Sequence, residues 1–223
     1  MRKIVIPNCF DPILEKVNRI ISDESRDIHV LFVSFIMKSK GIFVALEVFE
    51  RIAKEYENVF FHIAGQPLGD YLMPESEVKE LFGKHFRRLD SEYPGRFVYH
   101  GVVKDDEKID LFTKCDIFLF PTFFKTESFG LVNIEAMRTG NAVITTNHNF
   151  LPDIVTKNEG ILVEPNNIED TYMGMKYLIE NPNKMKDLQR HNMDHAKNTY
   201  SPEAFKKLIK NLFMEFMLLD LHK

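Results

Sequence analysis

Two hydrophobic periods alternate along this chain. Short continuous apolar runs occur at 29–36 (H-V-L-F-V-S-F-I), 59–65 (V-F-F-H-I-A-G), 96–101, 116–121 (D-I-F-L-F-P), 141–146 and 160–165. Their length and their β-branched and aromatic content are those of strands covered on both faces. Between them the apolar residues step by three and four: Val44, Val48, Phe49 and Ile52, then Val78, Leu81, Phe82 and Leu89, then Ile109 and Phe112. That is the spacing of helices with one buried face. Six strands alternating with helices predict an α/β chain, a parallel six-stranded sheet with helices on both faces. Ligands of such sheets bind at the carboxyl ends of the strands, so the loops that follow strands are the ones to read for chemistry.

After Pro165 the pattern is helical to the end, with a break at Asn181-Pro182. Ser201-Pro202-Glu203 supplies an N-cap, a first-turn proline and a first-turn acid for a final helix from Ser201 to about Leu221. Its apolar stripe runs through Phe205, Leu208, Ile209, Leu212, Phe213, Phe216, Met217 and Leu218, with Lys206, Lys207 and Lys210 on the other side. The plain reading is packing on its own sheet; the sharper one is a partner surface, a dimer contact or a peripheral membrane contact. Residues 1–12 have linker character, which divides the chain into a linker (1–12), one α/β domain (13–200) and a C-terminal amphipathic helix (201–223).

The densest chemistry lies at 127–137, E-S-F-G-L-V-N-I-E-A-M. It follows the strand at 116–121, and Leu131, Ile134, Ala136 and Met137 mark a helix that ends near Gly140. The N–H groups of Phe129, Gly130 and Leu131, with the helix dipole, make a diphosphate site at the sheet edge, and Gly130 lets the anion approach. Ser128 opens the same turn. Glu127 sits where it can accept from the group beyond the phosphates, and Glu135, two turns into the helix, can accept from a vicinal diol such as a ribose. Taken alone, two glutamates so placed are more often a dipole partner and a solvated helix residue.

Composition narrows the classes. With 223 residues, 44% hydrophobic and 28% charged, the chain can bury one good core. A net charge of −4 and a pI near 6.1 give no electrostatic case for nucleic acid. The two cysteines, Cys9 and Cys115, fit a reducing compartment, and no apolar run is long enough to span a bilayer, so the expected location is the cytoplasm or the inner face of a membrane. No P-loop, G-x-G-x-x-G or G-x-S-x-G occurs, which argues against nucleotide hydrolysis, dinucleotide oxidoreduction and serine hydrolysis. His191-x3-His195 has the spacing of a metal pair but no third ligand nearby in sequence, so it reads as a surface pair, and no metal is expected. His62, His100 and His148 lie in or after strands and read as half-buried polar residues.

Taken in order, these segments resemble the C-terminal, donor-binding half of the GT-B glycosyltransferases, in particular family 4 of the retaining hexosyltransferases. The resemblance rests on V-I-P-N-C-F-D (Val5 to Asp11), S-F-I-M-K-S-K-G (Ser34 to Gly41), Ile63-Ala64-Gly65, V-Y-H-G-V-V (Val98 to Val103), C-D-I-F-L-F-P-T (Cys115 to Thr122) and the E-x7-E motif from Glu127 to Glu135. It implies a Rossmann-like domain that binds a nucleotide-diphosphate sugar and transfers a hexose to a glycan or lipid-linked acceptor, without a cofactor. Glu127 would contact the sugar, Glu135 the ribose, and Lys40 the leaving phosphate, so that no metal is needed. Gly101 and Val102 would line the base pocket, and Gly65 belongs to the same donor site.

The departures point elsewhere. The phosphate-binding Arg of the family falls on Phe35, leaving Lys38 as the nearby cation, and its paired glycines fall on Asn149 and Phe150. The chain begins at the interdomain linker, so it is expected to be a truncated form or one subunit of a split enzyme, with the N-terminal acceptor domain missing or supplied separately, and this chain alone should bind more readily than it catalyses. The other readings are a sugar-nucleotide epimerase of GT-B fold and a non-catalytic glycosyltransferase partner subunit.

Overall fold

The computed structural model describes residues 6–22 and 27–220, apart from the side chains at 216 and 218–220. The first part of the expected linker, the side chains of Phe216 and Leu218, and the last turn at Leu221 lie outside the described residues.

Six strands form one sheet: β1 (Ile28–Val33), β2 (Val59–Ala64), β3 (Phe97–Tyr99), β4 (Ile117–Phe120), β5 (Ala142–Thr146) and β6 (Gly160–Val163). Their order is β3-β2-β1-β4-β5-β6, and every pairing is parallel. The chain builds outward from β1 to β3, then returns to place β4 against the other edge of β1, with Val30 opposite Ile117 and Leu31 opposite Phe118. That reversal opens a crevice beyond the carboxyl ends of β1 and β4, where connections leave in opposite directions.

The intervening helices are α1 (Ile42–Glu55), α2 (Glu75–Glu92), α3 (Asp105–Lys114), α4 (Leu131–Arg138), α5 (Leu151–Ile154) and α6 (Ile168–Glu180); α7 (Pro182–Tyr200) and α8 (Pro202–Asp220) follow. Neighbouring strand residues feed different cores: Val30 and Phe32 join Phe49, Ile52 and Phe61 on one face, while Leu31 joins Phe112, Phe118, Ile134 and Met137 on the other. This is why the strands read as unbroken apolar runs. Each fully buried Leu, Ile or Phe here contributes roughly 1.5–3 kcal/mol of transfer free energy.

The structure trims several sequence boundaries. β1 stops at Val33 because the chain turns away toward the crevice, and Ile36 keeps only an isolated bridge to Pro67. The third strand is reduced to Phe97–Tyr99 at the sheet edge, and the short α5 has no apolar period long enough to announce it. The N-cap of α8 forms as expected, Ser201 Oγ accepting from Ala204 N at 3.1 Å. Plain core packing of the α8 stripe is corrected for its outer half: Phe213, Met214 and Met217 are 65%, 52% and 63% exposed, while Phe205, Leu208, Ile209 and Leu212 are half-buried. Among the described residues no helix is long and apolar enough to cross a membrane.

Candidate functional site

The crevice is built by two chain segments pressed together. After β1 the chain makes a tight 3-10 turn, Lys38–Lys40, that ends at Gly41 with φ +81°. A Cβ on Gly41 would lie 2.1 Å from the carbonyl oxygen of Pro121, just past β4, so only glycine permits this approach. Ser39 O accepts from Phe123 N at 2.7 Å, which ties the two segments directly. Asp70 anchors the turn from the next loop: its Oδ2 accepts from Ser39 N at 2.7 Å and its Oδ1 from Leu72 N and Met73 N at 2.8 and 3.0 Å. Burial works to raise the Asp70 pKa, but these bonds outweigh it and hold the carboxyl below its usual range.

This packing delivers Lys40 to Glu127. Lys40 Nζ lies 2.5 Å from Glu127 Oε2, and their side chains are only 14% and 11% exposed. The ammonium also sits 4.6 Å from the Phe124 ring centroid and 5.5 Å from that of Phe120, so aromatic faces supply the rest of its shell. In the described structure each charge satisfies the other, and an incoming anion has to share Lys40 with Glu127.

Beside the pair, α4 begins. Gly130 is its N-cap at φ +59°, and a Cβ there would crowd Leu151 Cδ2 at 2.6 Å and Asn133 Nδ2 at 2.9 Å. Gly130 is buried, and the space a side chain would need is already filled by these two neighbours, so glycine here serves the left-handed turn and the close packing at the start of the helix. Ser128 is exposed, Leu131 is 44% exposed, and Phe129 is half-buried with its ring edge-on to Tyr200. The loop after β5 braces the other wall: Asn149 Nδ2 donates to Lys125 O and Glu127 O, both at 3.1 Å. Asn149 has φ +50°, a left-handed conformation that asparagine tolerates, so a residue standing where the resemblance has a glycine keeps the backbone shape. Asp70 and Asn149 are the supports that sequence reading missed; the only signal for Asp70 was an Asx-type turn, D-Y-L-M-P.

The remaining expected residues divide. Gly65 and Val102 line one cavity of about 270 Å3 with Ser34, Phe35, Val103 and Lys104, beyond the ends of β1 and β2. Gly101 is not part of its wall, but Gly101 O accepts from Gly65 N at 2.6 Å and so holds the wall in place. Lys38 is exposed on the 3-10 turn, and Phe35 is 50% exposed. Glu135 does not face an empty recess. Lys108 Nζ reaches its two carboxylate oxygens at 2.8 and 2.7 Å. The adjoining cavity, walled by Asp11, Ile13, Leu14 and Asp105, holds about 40 Å3, room for a water or two and not for a ribose.

Of the histidines read as half-buried, His148 is so, while His62 is buried and His100 exposed. His62 is a buried core residue linked in a ladder, 2.9 Å from His29 and 3.0 Å from His100, and His148 Nε2 lies 3.1 Å from Phe124 O. Burial, with the nearby imidazoles, pushes the His62 pKa down to about 3. His191 and His195 are not a pair without a third ligand: Glu159, distant in sequence, brings its carboxylate to 3.0 Å from His191 Nε2.

A sequence model of the glycosyl transferases group 1 family matches residues 15–195. Over 96 residues the chain is 29% identical to the serotype-specific mannosyltransferase WbdA of Escherichia coli, covering 43% of this chain and 11% of that protein. Among solved structures, the sucrose-phosphate synthase of Thermosynechococcus elongatus aligns with a TM-score of 0.72 at 19% identity, over 96% of this chain and 52% of that one. Anabaena Alr3699/HepE, solved in complex with UDP, aligns at 0.70 and 19% identity, over 85% of this chain and 49% of that one. The chain thus spans about half of each solved chain and a smaller part of the mannosyltransferase. The parallel six-stranded, Rossmann-like fold expected from the sequence is the fold of these GT-B glycosyltransferases.

Proposed function

The chain belongs to the glycosyl transferases group 1 family, and from that premise we propose that it is the donor-binding half of a retaining glycosyltransferase that uses a nucleotide-diphosphate sugar. The observation that carries this reading is the partly buried Lys40–Glu127 pair, which ties the turn after β1 to the loop that leads from β4 to the Gly130-capped start of α4. In transfer, the bond from the anomeric carbon to the phosphate breaks with its electron pair passing to the diphosphate, while the sugar gains cationic character. The N–H groups at the start of α4 and Lys40 stand where that growing anionic charge is stabilised, which needs no metal. Glu127, released by the phosphate from part of its bond to Lys40, accepts from sugar hydroxyls. The cavity bounded by Gly65 and Val102 takes the base; that HepE was solved with UDP is in keeping with such a ligand here. For Glu135 to accept from ribose hydroxyls, Lys108 has to swing off its carboxylate and the 40 Å3 cavity between them has to open.

The half-exposed stripe of Phe213, Met214 and Met217 suits packing on the acceptor-holding half or on a second copy, and this chain by itself binds donor without transferring the sugar. One observation favours the non-catalytic subunit instead: Phe35 offers an aromatic ring at the cavity wall where the resemblance puts a guanidinium. Calorimetric titration with uridine, guanosine and adenosine diphosphates and their hexose conjugates tests the reading. A folded sample that binds none of them refutes donor binding; binding without turnover in the presence of acceptor domain and acceptor favours the non-catalytic subunit.

A further inference from the structure

At the amino end of β6, on the edge of the sheet opposite the crevice, three side chains from two elements converge. His191 and His195 are four residues apart on α7, with ring centroids 5.6 Å apart and planes within 11°. Glu159, from the loop that enters β6, is 4% exposed and extends toward both. One ligand atom from each lies within 4.8 Å of the others. A tetrahedral zinc ion with bonds near 2.1 Å holds its ligands roughly 3.4 Å apart, so small side-chain rotations close this set around an ion.

We propose that Glu159, His191 and His195 form a binding site for a divalent transition metal of the zinc class, independent of the donor crevice.

Two observations say that the cluster is built rather than accidental. First, the buried carboxylate is oriented: Glu159 Oε2 accepts from Thr156 N at 2.9 Å and from Thr156 Oγ1 at 2.6 Å, which leaves Oε1 for the histidines. Second, the two elements are locked in register: Asn192, beside His191 on α7, donates through Nδ2 to the carbonyls of Glu159 and Asn141, both at 2.8 Å. Tyr200 stands edge-on to the His195 ring. An oriented carboxylate with two imidazoles is the borderline donor set that prefers zinc-like ions over magnesium or calcium, and it leaves a fourth position for water. An ion here staples the loop at 156–159 to α7, the helix that packs on α4 and, through Gln189 Nε2, on Asp116 O.

The test uses the protein freed of metal by chelator and dialysis, titrated with zinc sulfate by calorimetry and with cobalt(II) in the visible spectrum. One equivalent should bind, cobalt should show the d–d absorption of a four-coordinate centre, and zinc a hundredfold above Kd should raise Tm by about 5–10 °C. Thr156→Val, which keeps all three ligands, should weaken zinc about 10–100-fold. His195→Ala should weaken it at least as much. His195 is partly exposed, so this variant keeps its fold even where Glu159→Gln does not, as circular dichroism will report. Absence of binding by both ions overturns the proposal. So does undiminished zinc binding by the His191→Ala/His195→Ala variant, which would put the ion on other side chains.

Discussion

Replacing Lys40 by methionine keeps the unbranched stem as far as Cε and removes the charged nitrogen, leaving Glu127 in a site where it is 11% exposed with its cation gone. At an N–O distance of 2.5 Å and an effective dielectric of about 20 the lost attraction is several kcal/mol, and one-sided removal of a largely buried pair costs about 3–5 kcal/mol. Because both groups keep some contact with solvent, the lower end applies, about 3 kcal/mol, or roughly a 6–12 °C fall in Tm for a domain of this size. Glu127→Gln strands the lysine and should cost about as much. In the Lys40→Met/Glu127→Gln protein no charge is stranded, and stability should return to within about 1 kcal/mol of the parent. Urea unfolding of the four proteins at 25 °C measures the cycle. The same four, titrated with a nucleoside and its diphosphate, test function: Lys40→Met should weaken the diphosphate and spare the nucleoside. Additive stability losses, or an equal loss for both ligands, would refute the view of Lys40–Glu127 as one coupled unit that hands its cation to the donor.

The ribose role of Glu135 predicts that a diphosphate and its 2′,3′-dideoxy analogue bind the parent with a gap of about 1.5–3 kcal/mol, and Glu135→Ala equally; a gap that persists in the variant removes the assignment. The histidine ladder predicts acid lability with a defined sign. His62, near 6.5 unfolded and pushed down to about 3 folded, is neutral in the native chain, so its contribution is complete above pH 6.5 and is lost as pH falls toward 3. Between pH 7.5 and 4.5 that is about 3 kcal/mol, read as a shift in urea midpoint; His62→Gln should flatten the slope, and an unchanged slope would show that other groups titrate. Gly41→Ala, at φ +81° and 2.1 Å from the Pro121 carbonyl, should cost at least roughly 2 kcal/mol and loosen the diphosphate; a stable variant with intact affinity would contradict the close approach. The exposed end of α8 predicts association in sedimentation runs, reversed by Phe213→Glu with Met217→Glu; a parent that stays monomeric at high concentration shows that this stripe recruits nothing.

The sheet was legible because its signal is local. The four inner strands are largely buried on both faces, so no alternation had to be resolved, and the helices between carry their period in a single turn-by-turn face. The polar ties between distant segments were not legible. Arg19 donates to Cys115 O, Thr139 O and Gly140 O and pairs with Asp116 at 3.1 Å, both side chains under 10% exposed, yet no spacing in the sequence announces a contact across so much chain. Asp70 under the Lys40 turn and Glu159 beside the α7 histidines are of the same kind. Each is one carboxylate among many in the sequence, and only the parallel crossovers of the fold bring it home.

Among the site residues, what the sequence conveyed was identity and neighbourhood; what it could not convey was competition. Glu127 and Lys40 do meet, but the two carboxylates of the E-x7-E segment are each engaged by a lysine, Lys40 at 2.5 Å and Lys108 at 2.7 Å. Both acids were read as acceptors waiting for hydroxyls. Instead the crevice holds its charges in pairs, which keeps partly buried ions compensated before any ligand arrives. If the proposed donor binds there, its diphosphate brings negative charge to Lys40 and so loosens Glu127 at the moment a sugar is present to receive it. On the proposed reading, donor binding and the freeing of Glu127 for the sugar are one event. A free sugar lacks the anion that displaces Glu127, and should bind this crevice far more weakly than the same sugar attached to a nucleoside diphosphate.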